Sequence, residues 1–200
     1  MAKMSRMKRS GIFRWLIPRI ALADFPHLML ITCLGAVAAG AYGILHDQWT
    51  YSISPEYFVK LKFKQFHYAD FGWGPRVFAG TIGFLASWWV GSIIAWFIGR
   101  RFVPGRSRQP AYRSTFKAFG IVFCCGALGS FLGFLIGLAF GPEADYSNWN
   151  EVFVHLGIID RYSFVRVAYI HNASYLGGLA GLVAALLFVR PPESSDDSRK

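Results

Sequence analysis

The chain has 200 residues, of which 54% are hydrophobic and 16% are charged, and its formal net charge is +10. Soluble domains carry about 25% charged residues, so this composition argues against an ordinary soluble protein. Four apolar runs are each long enough to cross a bilayer as a helix, and they cover residues 28–45, 77–99, 118–141 and 167–189. The sequence therefore predicts one all-α membrane domain over residues 28–189.

Residues 1–27 form a basic lead in which Arg14 and Arg19 are interleaved with Trp15 and Ile17. This mixture predicts a segment that lies on the cytoplasmic leaflet, although a disordered basic lead also fits the pattern. Both the lead and the apolar run after it are longer than those of typical signal peptides, which favours an uncleaved anchor.

The first connection, residues 46–76, contains the stretch YSISPEYFVKLKFKQF. The alternation of apolar and polar residues in QWTYSIS and VKLKFK is typical of strands, so a hairpin is one interpretation. Ser54 and Pro55 instead match the start of a helix. We favour a short strand followed by a helix that begins at Pro55. The charged side chains of this stretch are predicted to lie on the outer surface of the loop, and they are Glu56, Lys60, Lys62 and Lys64.

A resemblance also involves this connection. The stretch HDQWTYSISPEYFVKLKFKQF, followed by GFLASWWVG in the second span, resembles an uncharacterised family of small bacterial multi-span membrane proteins. The resemblance implies a multi-span fold and carries no activity with it.

Small residues recur at intervals of four in the last three predicted spans. Residues four apart share one face of a helix, and glycine there lets two backbones approach closely. The stripes therefore predict helix packing within the chain, with self-association into a homo-oligomer as the alternative. The glycines that we assign to this role are Gly91, Gly129, Gly133, Gly137, Gly177 and Gly181.

The basic residues predict the orientation. Fifteen Lys and Arg residues lie in the lead, in the connection 100–117 and in the tail 190–200, whereas six lie in the connections 46–76 and 142–166. By the positive-inside rule, both termini are cytoplasmic. The resemblance implies that the membrane is a bacterial inner membrane. The positive charge is then a topology signal that contacts lipid head groups, and it does not indicate nucleic-acid binding. The tail is predicted to be disordered.

The second outer connection, residues 142–166, carries the acidic residues Glu143, Asp145, Glu151 and Asp160. Because the first connection is basic and aromatic, we expect the two to dock on each other as an extracytoplasmic cap over the helices. Exposed ion pairs are individually weak, so packing of the aromatic residues would contribute most of the stability of such a cap.

Polar residues open the fourth span. His171, Asn172 and Tyr175 are the candidate functional residues, because polar groups inside a membrane are costly and are often functional. An interfacial histidine whose hydrogen bonds are satisfied by a neighbouring helix is the plainer interpretation of His171.

Catalytic and cofactor motifs are absent from the sequence. It has no nucleophile elbow, phosphate loop or intramembrane pair of carboxylates. Four histidines fall on the outer side with acidic residues nearby in the topology, so a metal site is conceivable, and these residues are His46, His67, His155, His171, Asp47, Asp70, Glu56 and Glu151. Their spacing matches no zinc pattern, so no metal site and no cofactor are predicted. We therefore expect a non-enzymatic scaffold or accessory subunit whose cap contacts lipid or a partner protein. A small oligomeric channel or transporter is the alternative.

Overall fold

The computed structural model describes residues 20–192, and four long helices dominate them. We label these helices α1 (Phe25–Ile53), α2 (Pro75–Phe102), α3 (Arg108–Phe140) and α4 (Arg161–Phe188). Each is long and apolar enough to cross a membrane, so the chain is a multi-pass membrane protein. Residues 1–19 of the predicted interfacial lead lie outside the described residues, as do residues 193–200 of the predicted tail.

The ends of the long helices follow from local sequence. Pro26 occupies the first turn of α1, where its missing N–H costs nothing. Helix α3 ends at Phe140, and Gly141 follows it with a φ of 72°, a conformation that glycine adopts readily and that is strained for other residues. The carboxylate of Asp160 accepts a hydrogen bond from the Ser163 N–H at 3.0 Å and so caps the start of α4.

The strand predicted in the first connection is wrong. No strand occurs in the part of the chain that the structure describes, and α1 continues as a helix through Ile53. The physical reason is that no glycine or proline interrupts residues 44–54, so the helix runs on until Pro55 disfavours helical geometry at Ser54. After Pro55 the chain is helical, as predicted, with a π-helical stretch over Tyr57–Lys62 and one α-helical turn over Phe63–Gln65.

The four long helices pack as two antiparallel pairs, α1 with α2 and α3 with α4. In the first pair, Gly43 and Gly83 face each other so closely that a Cβ atom on either would overlap the carbonyl group of the other. Gly91 lies in the same way against Gly35 and Ala39. Lipid supplies no hydrophobic force between helices, so this close approach is what gives the pair its dispersion contacts.

The second pair, α3 and α4, also packs closely through glycines. Gly129 and Gly133 lie against α4 at Ala173, and Gly137 lies against Arg166. From the other side, Gly177 lies against Cys125 and Gly181 against Val122, and these two complete the list of glycines to which the sequence assigned packing. All of these contacts lie within the chain.

The α1–α2 and α3–α4 connections meet at one end of the bundle. Buried residues from both form a single apolar cluster with the start of α4, and its largest members are Tyr57, Phe58, Phe153, Ile158 and Phe164. We call this group the connection cluster. The short helix Asn150–Leu156 supplies Phe153 to it.

Glu56 joins the two connections directly. Its carboxylate accepts hydrogen bonds from the backbone N–H groups of Ile159 at 3.0 Å and Asp160 at 2.8 Å. Within residues 20–192, no ion pair joins Lys60, Lys62 or Lys64 to an acidic side chain of the α3–α4 connection. The contact between the connections therefore depends on apolar packing and on Glu56, and pairing of opposite side-chain charges does not contribute.

Replacing Gly133 tests the packing of the second pair. A Cβ on Gly133 would lie 2.9 Å from the Cβ of Ala173, so we expect Gly133→Val to destabilise the fold by about 1–3 kcal/mol through overpacking. Thermal unfolding of the purified protein in detergent measures this. Gly120→Val is the matched control, because nothing lies within 4 Å of a Cβ built there. Equal melting temperatures for the two variants would contradict the packing described for α3 and α4.

Replacing Glu56 tests the contact between the connections. Glu56→Ala leaves the N–H groups of Ile159 and Asp160 without their acceptor, and hydrogen bonds to a charged group contribute about 1.5–3 kcal/mol. We expect a lower melting temperature and faster proteolysis within the α3–α4 connection. Glu143→Ala, an exposed carboxylate in the same connection, should leave both unchanged. If the two variants behaved alike, Glu56 would not hold the connections together.

Candidate functional site

A cavity of about 670 Å³ lies between the two helix pairs and is lined by all four long helices. Its walls are largely apolar and include Ile93 and Phe97 of α2, Phe119 of α3, and Leu179 and Leu182 of α4. The cavity exists because small residues let the two helices of each pair pack closely, whereas the two pairs make few contacts with each other.

One end of the cavity is polar. His46 and Asp47 reach it from α1, and His171 reaches it from α4. The imidazole rings of His46 and His171 meet edge to face, with centroids 4.6 Å apart. The Nε2 atom of His171 lies 3.8 Å from a carboxylate oxygen of Asp47. Three groups that can bind a proton or a metal therefore meet at one point, although they come from different helix pairs.

The helical segment after Pro55 covers this end of the cavity. The ring of Tyr57 stacks on the ring of His171, with centroids 5.1 Å apart and planes 19° apart. Lys62 follows on the same segment and lines the cavity. The π-helical stretch Tyr57–Lys62 is the unusual backbone feature here, and such stretches occur frequently at functional sites.

Hydroxyl groups connect the polar end to the helices around it. The hydroxyl of Tyr42 forms hydrogen bonds with the hydroxyl oxygens of Ser130 at 3.0 Å and Ser174 at 2.9 Å. The Ser130 hydroxyl lies 3.1 Å from the carbonyl oxygen of Gly126, to which it donates, and 3.4 Å from Nδ1 of His46. Helices α1, α3 and α4 are therefore tied together beside the two imidazoles.

The contacts of Ser130 favour one tautomer of His46. A serine hydroxyl has one proton, so when Ser130 donates it to Gly126, the contact with His46 is made by Nδ1–H donating to Ser130. The lone pair of His46 Nε2 is then free. Nε2 of His46 and Nε2 of His171 are both shielded from solvent and have no hydrogen-bond partner.

Burial also affects the segment that covers the site. It lowers the pKa of Lys62, and the attraction of the Asp47 carboxylate opposes that shift. Burial likewise raises the pKa of Tyr57, and the nearby Asp47 carboxylate raises it further. The hydroxyl of Tyr57 therefore stays protonated at every physiological pH, and it can act as a donor but not as a base.

The cavity opens sideways along α2 and α4. Trp89, Ile93 and Phe97 of α2 line it and are about half exposed, as are Tyr175 and Leu179 of α4. In a multi-pass membrane protein the sides of such helices face lipid, so the opening faces the acyl chains.

The residues predicted for a site separate into two groups. His171 and Tyr175 line the cavity, whereas Asn172 is exposed and does not line it.

Lys62 lines the cavity and does not lie on the outer surface as predicted, because the segment is helical and its alternate lysines do not share one face. Lys64 is exposed, Lys60 is half-buried, and Glu56 binds the α3–α4 connection.

His46 and Asp47 are site residues that the sequence analysis named among conceivable metal ligands but did not select as candidates. The predicted first span ended at Leu45, which left both in a loop, whereas in the structure they lie on a helix that continues to Ile53. A usable signal was present, because Tyr42, His46 and Thr50 are four residues apart and nothing that breaks a helix separates them.

Comparison with protein-family models, with curated proteins and with solved structures finds no match to this chain.

Proposed function

We propose that the protein binds a membrane amphiphile in the cavity between the helix pairs. The acyl or other apolar chain lies among the aromatic and aliphatic walls, and the head group lies at Lys62, at the polar end of the cavity. The observation that carries this proposal is that one cavity has apolar walls, a sideways opening and a single polar end.

Size supports the proposal. Ligand sites typically measure about 300–1,000 Å³, and this cavity measures about 670 Å³. It is lined along α1 from Gly35 to His46, which corresponds to roughly 16 Å of helix axis at 1.5 Å per residue. An extended hydrocarbon chain fits such a length.

The polar end selects a head group with acceptor oxygens. Lys62 has donors and no acceptor, and the Nδ1–H of His46 is already used by Ser130. A carboxylate, phosphate or carbonyl oxygen can accept from Lys62 in a place where burial strengthens a charge-assisted bond. We therefore assign Lys62 the role of binding the head group.

Photolabelling with a fatty acid that carries a diazirine near the end of its chain tests this assignment. We expect adducts on the wall residues Phe119 and Val122 of the protein in membranes. Gly178→Phe should abolish them, because Gly178 lines the cavity and a Cβ there meets nothing within 4 Å. Gly120→Phe, which is equally open but lies outside the cavity, should keep them.

Lys62→Met should weaken binding of the same probe about tenfold to a hundredfold, since a hydrogen bond from a charged group contributes about 1.5–3 kcal/mol. Lys64→Met is its control, because Lys64 is exposed. Labelling confined to the lipid-facing sides of the helices, and equal in all four variants, would overturn the proposal.

The orientation is a proposal of its own. Both termini lie in the cytoplasm of a bacterium, and the connection cluster forms a cap on the extracytoplasmic face. The excess of Lys and Arg in the lead, the α2–α3 connection and the tail supports this.

A membrane-impermeant thiol reagent on intact cells tests the orientation. In a background with Cys33, Cys124 and Cys125 replaced by alanine, we expect labelling of Tyr68→Cys and none of Ser107→Cys, both of which are exposed sites in connections. Lysed cells provide the control for reactivity at both positions. The reverse pattern would place the connection cluster in the cytoplasm.

The scaffold and channel expectations stay predictions. A scaffold should co-purify with another protein from native membranes, and a channel should give flux in liposomes that His171→Ala changes. An amphiphile-binding protein requires neither result.

A further inference from the structure

His46, Asp47 and His171 have the composition of a metal site. One nitrogen of each histidine and one carboxylate oxygen of Asp47 lie within 4.8 Å of one another. The side chain of His171 is 9% exposed and that of Asp47 is 5% exposed. Two imidazoles and one carboxylate form the ligand set of many zinc and non-haem iron centres.

The second observation is the pair of unpartnered nitrogens. Nε2 of His46 and Nε2 of His171 are buried without a hydrogen bond. The separation of 3.8 Å between His171 Nε2 and the Asp47 carboxylate is too long to satisfy either group by a hydrogen bond. Buried polar atoms are almost always paired, and an ion between these groups would satisfy all of them at once.

The surroundings are those of a metal-binding histidine. Such histidines usually donate their second ring N–H to an oxygen acceptor, which fixes the tautomer and the direction of the lone pair. His46 does so through Nδ1 to Ser130, so its Nε2 lone pair is the free one. The ring of Tyr57 stacks on the imidazole of His171 and so restricts the orientation of that ring.

The geometry points to one divalent transition-metal ion, of the kind that imidazole and carboxylate share, bound by His46, Asp47 and His171. Metal–ligand bonds of about 2.0–2.2 Å place neighbouring ligand atoms roughly 3.3–3.6 Å apart in a tetrahedral site. The His171–Asp47 separation of 3.8 Å is close to that value, and rotation of the side chains closes the rest. All three residues line the cavity, so an ion that they bind lies at its wall.

This inference does not depend on the amphiphile. The ligands come from the protein alone, so the site binds the ion whether the cavity is filled or empty. Gly178→Phe, which blocks the cavity wall, should therefore leave metal binding in place, and this separates failure of the one proposal from failure of the other.

Cobalt(II) titration of the full-length protein tests the site. The protein is purified through a tag without histidines, stripped with a chelator and titrated with Co²⁺ alone. We expect one ion per chain, the visible absorption bands of low-coordinate cobalt, and displacement of the ion by Zn²⁺. Elemental analysis of protein purified without chelator should show a bound transition metal at up to the same ratio.

Variants assign the ligands. Asp47→Asn and His171→Gln keep the size of each side chain and should abolish the visible bands. Ser130→Ala should weaken binding about tenfold to a hundredfold, as loss of a hydrogen bond to a ligand does elsewhere. His67→Ala and His155→Ala, at exposed histidines outside the cluster, should bind as the wild type does.

Two results would overturn the inference. The first is a wild-type protein that binds no cobalt at saturation, and this result stands even if Asp47→Asn or His171→Gln fails to fold. The second is cobalt binding that His67→Ala or His155→Ala removes while folded Asp47→Asn and His171→Gln retain it.

Discussion

The close approach of α1 to α2, and of α3 to α4, is the constraint on which the rest of this structure depends. Glycines such as Gly43, Gly83 and Gly133 face backbone or Cβ atoms of the neighbouring helix with no space for a side chain. Helices that meet in this way gain contact along their whole length, which in lipid replaces the hydrophobic force that water would supply. Small residues occupy the contact surfaces within each pair, and large side chains such as Phe97 and Phe119 line the space between the two pairs.

That space has a polar end because two of its helices contribute polar residues at the same level. His46 and Asp47 lie about two turns before the end of α1, and His171 lies about three turns into α4, which runs antiparallel to α3. Burying such groups is costly unless they are bonded or bind an ion. The hydrogen bonds of Tyr42 and Ser130 satisfy part of the cluster, and the segment that carries Tyr57 and Lys62 shields it. The two imidazole Nε2 atoms that remain unpartnered are the part of the cluster available for function.

The connections contribute by covering this end. Phe58, Phe153 and Phe164 meet in one apolar cluster, and Glu56 fixes the two connections to each other through backbone N–H groups. The π-helical stretch is held between this cluster and the cavity, so that Tyr57 and Lys62 both reach the polar end. The cover is therefore continuous with the site, and a change at Glu56 is expected to reach both.

The spans could be predicted from sequence because a run of apolar residues near Gly133 or Gly177 has few alternatives to a membrane helix. His171 and Tyr175 could be picked out for the same reason, since a polar residue within such a run is conspicuous. His46 and Asp47 could not be assigned by hydropathy, because α1 extends beyond its apolar run and the polar residues mark the end of the run, not the end of the helix. Lys62 was misplaced because an alternating pattern of five or six residues fits a strand and a short helix equally well, and the choice between them depended on tertiary contacts.

The central claim is that the Nε2 atoms of His46 and His171 are shielded together between the helix pairs, whereas His67 and His155 are exposed. Modification by diethyl pyrocarbonate, mapped by mass spectrometry on the folded protein in detergent, measures this directly. The account predicts rapid modification of His67 and His155, slow modification of His46 and His171, and loss of the difference on unfolding. Modification of His46 and His171 as fast as that of His67 in the folded protein would contradict it.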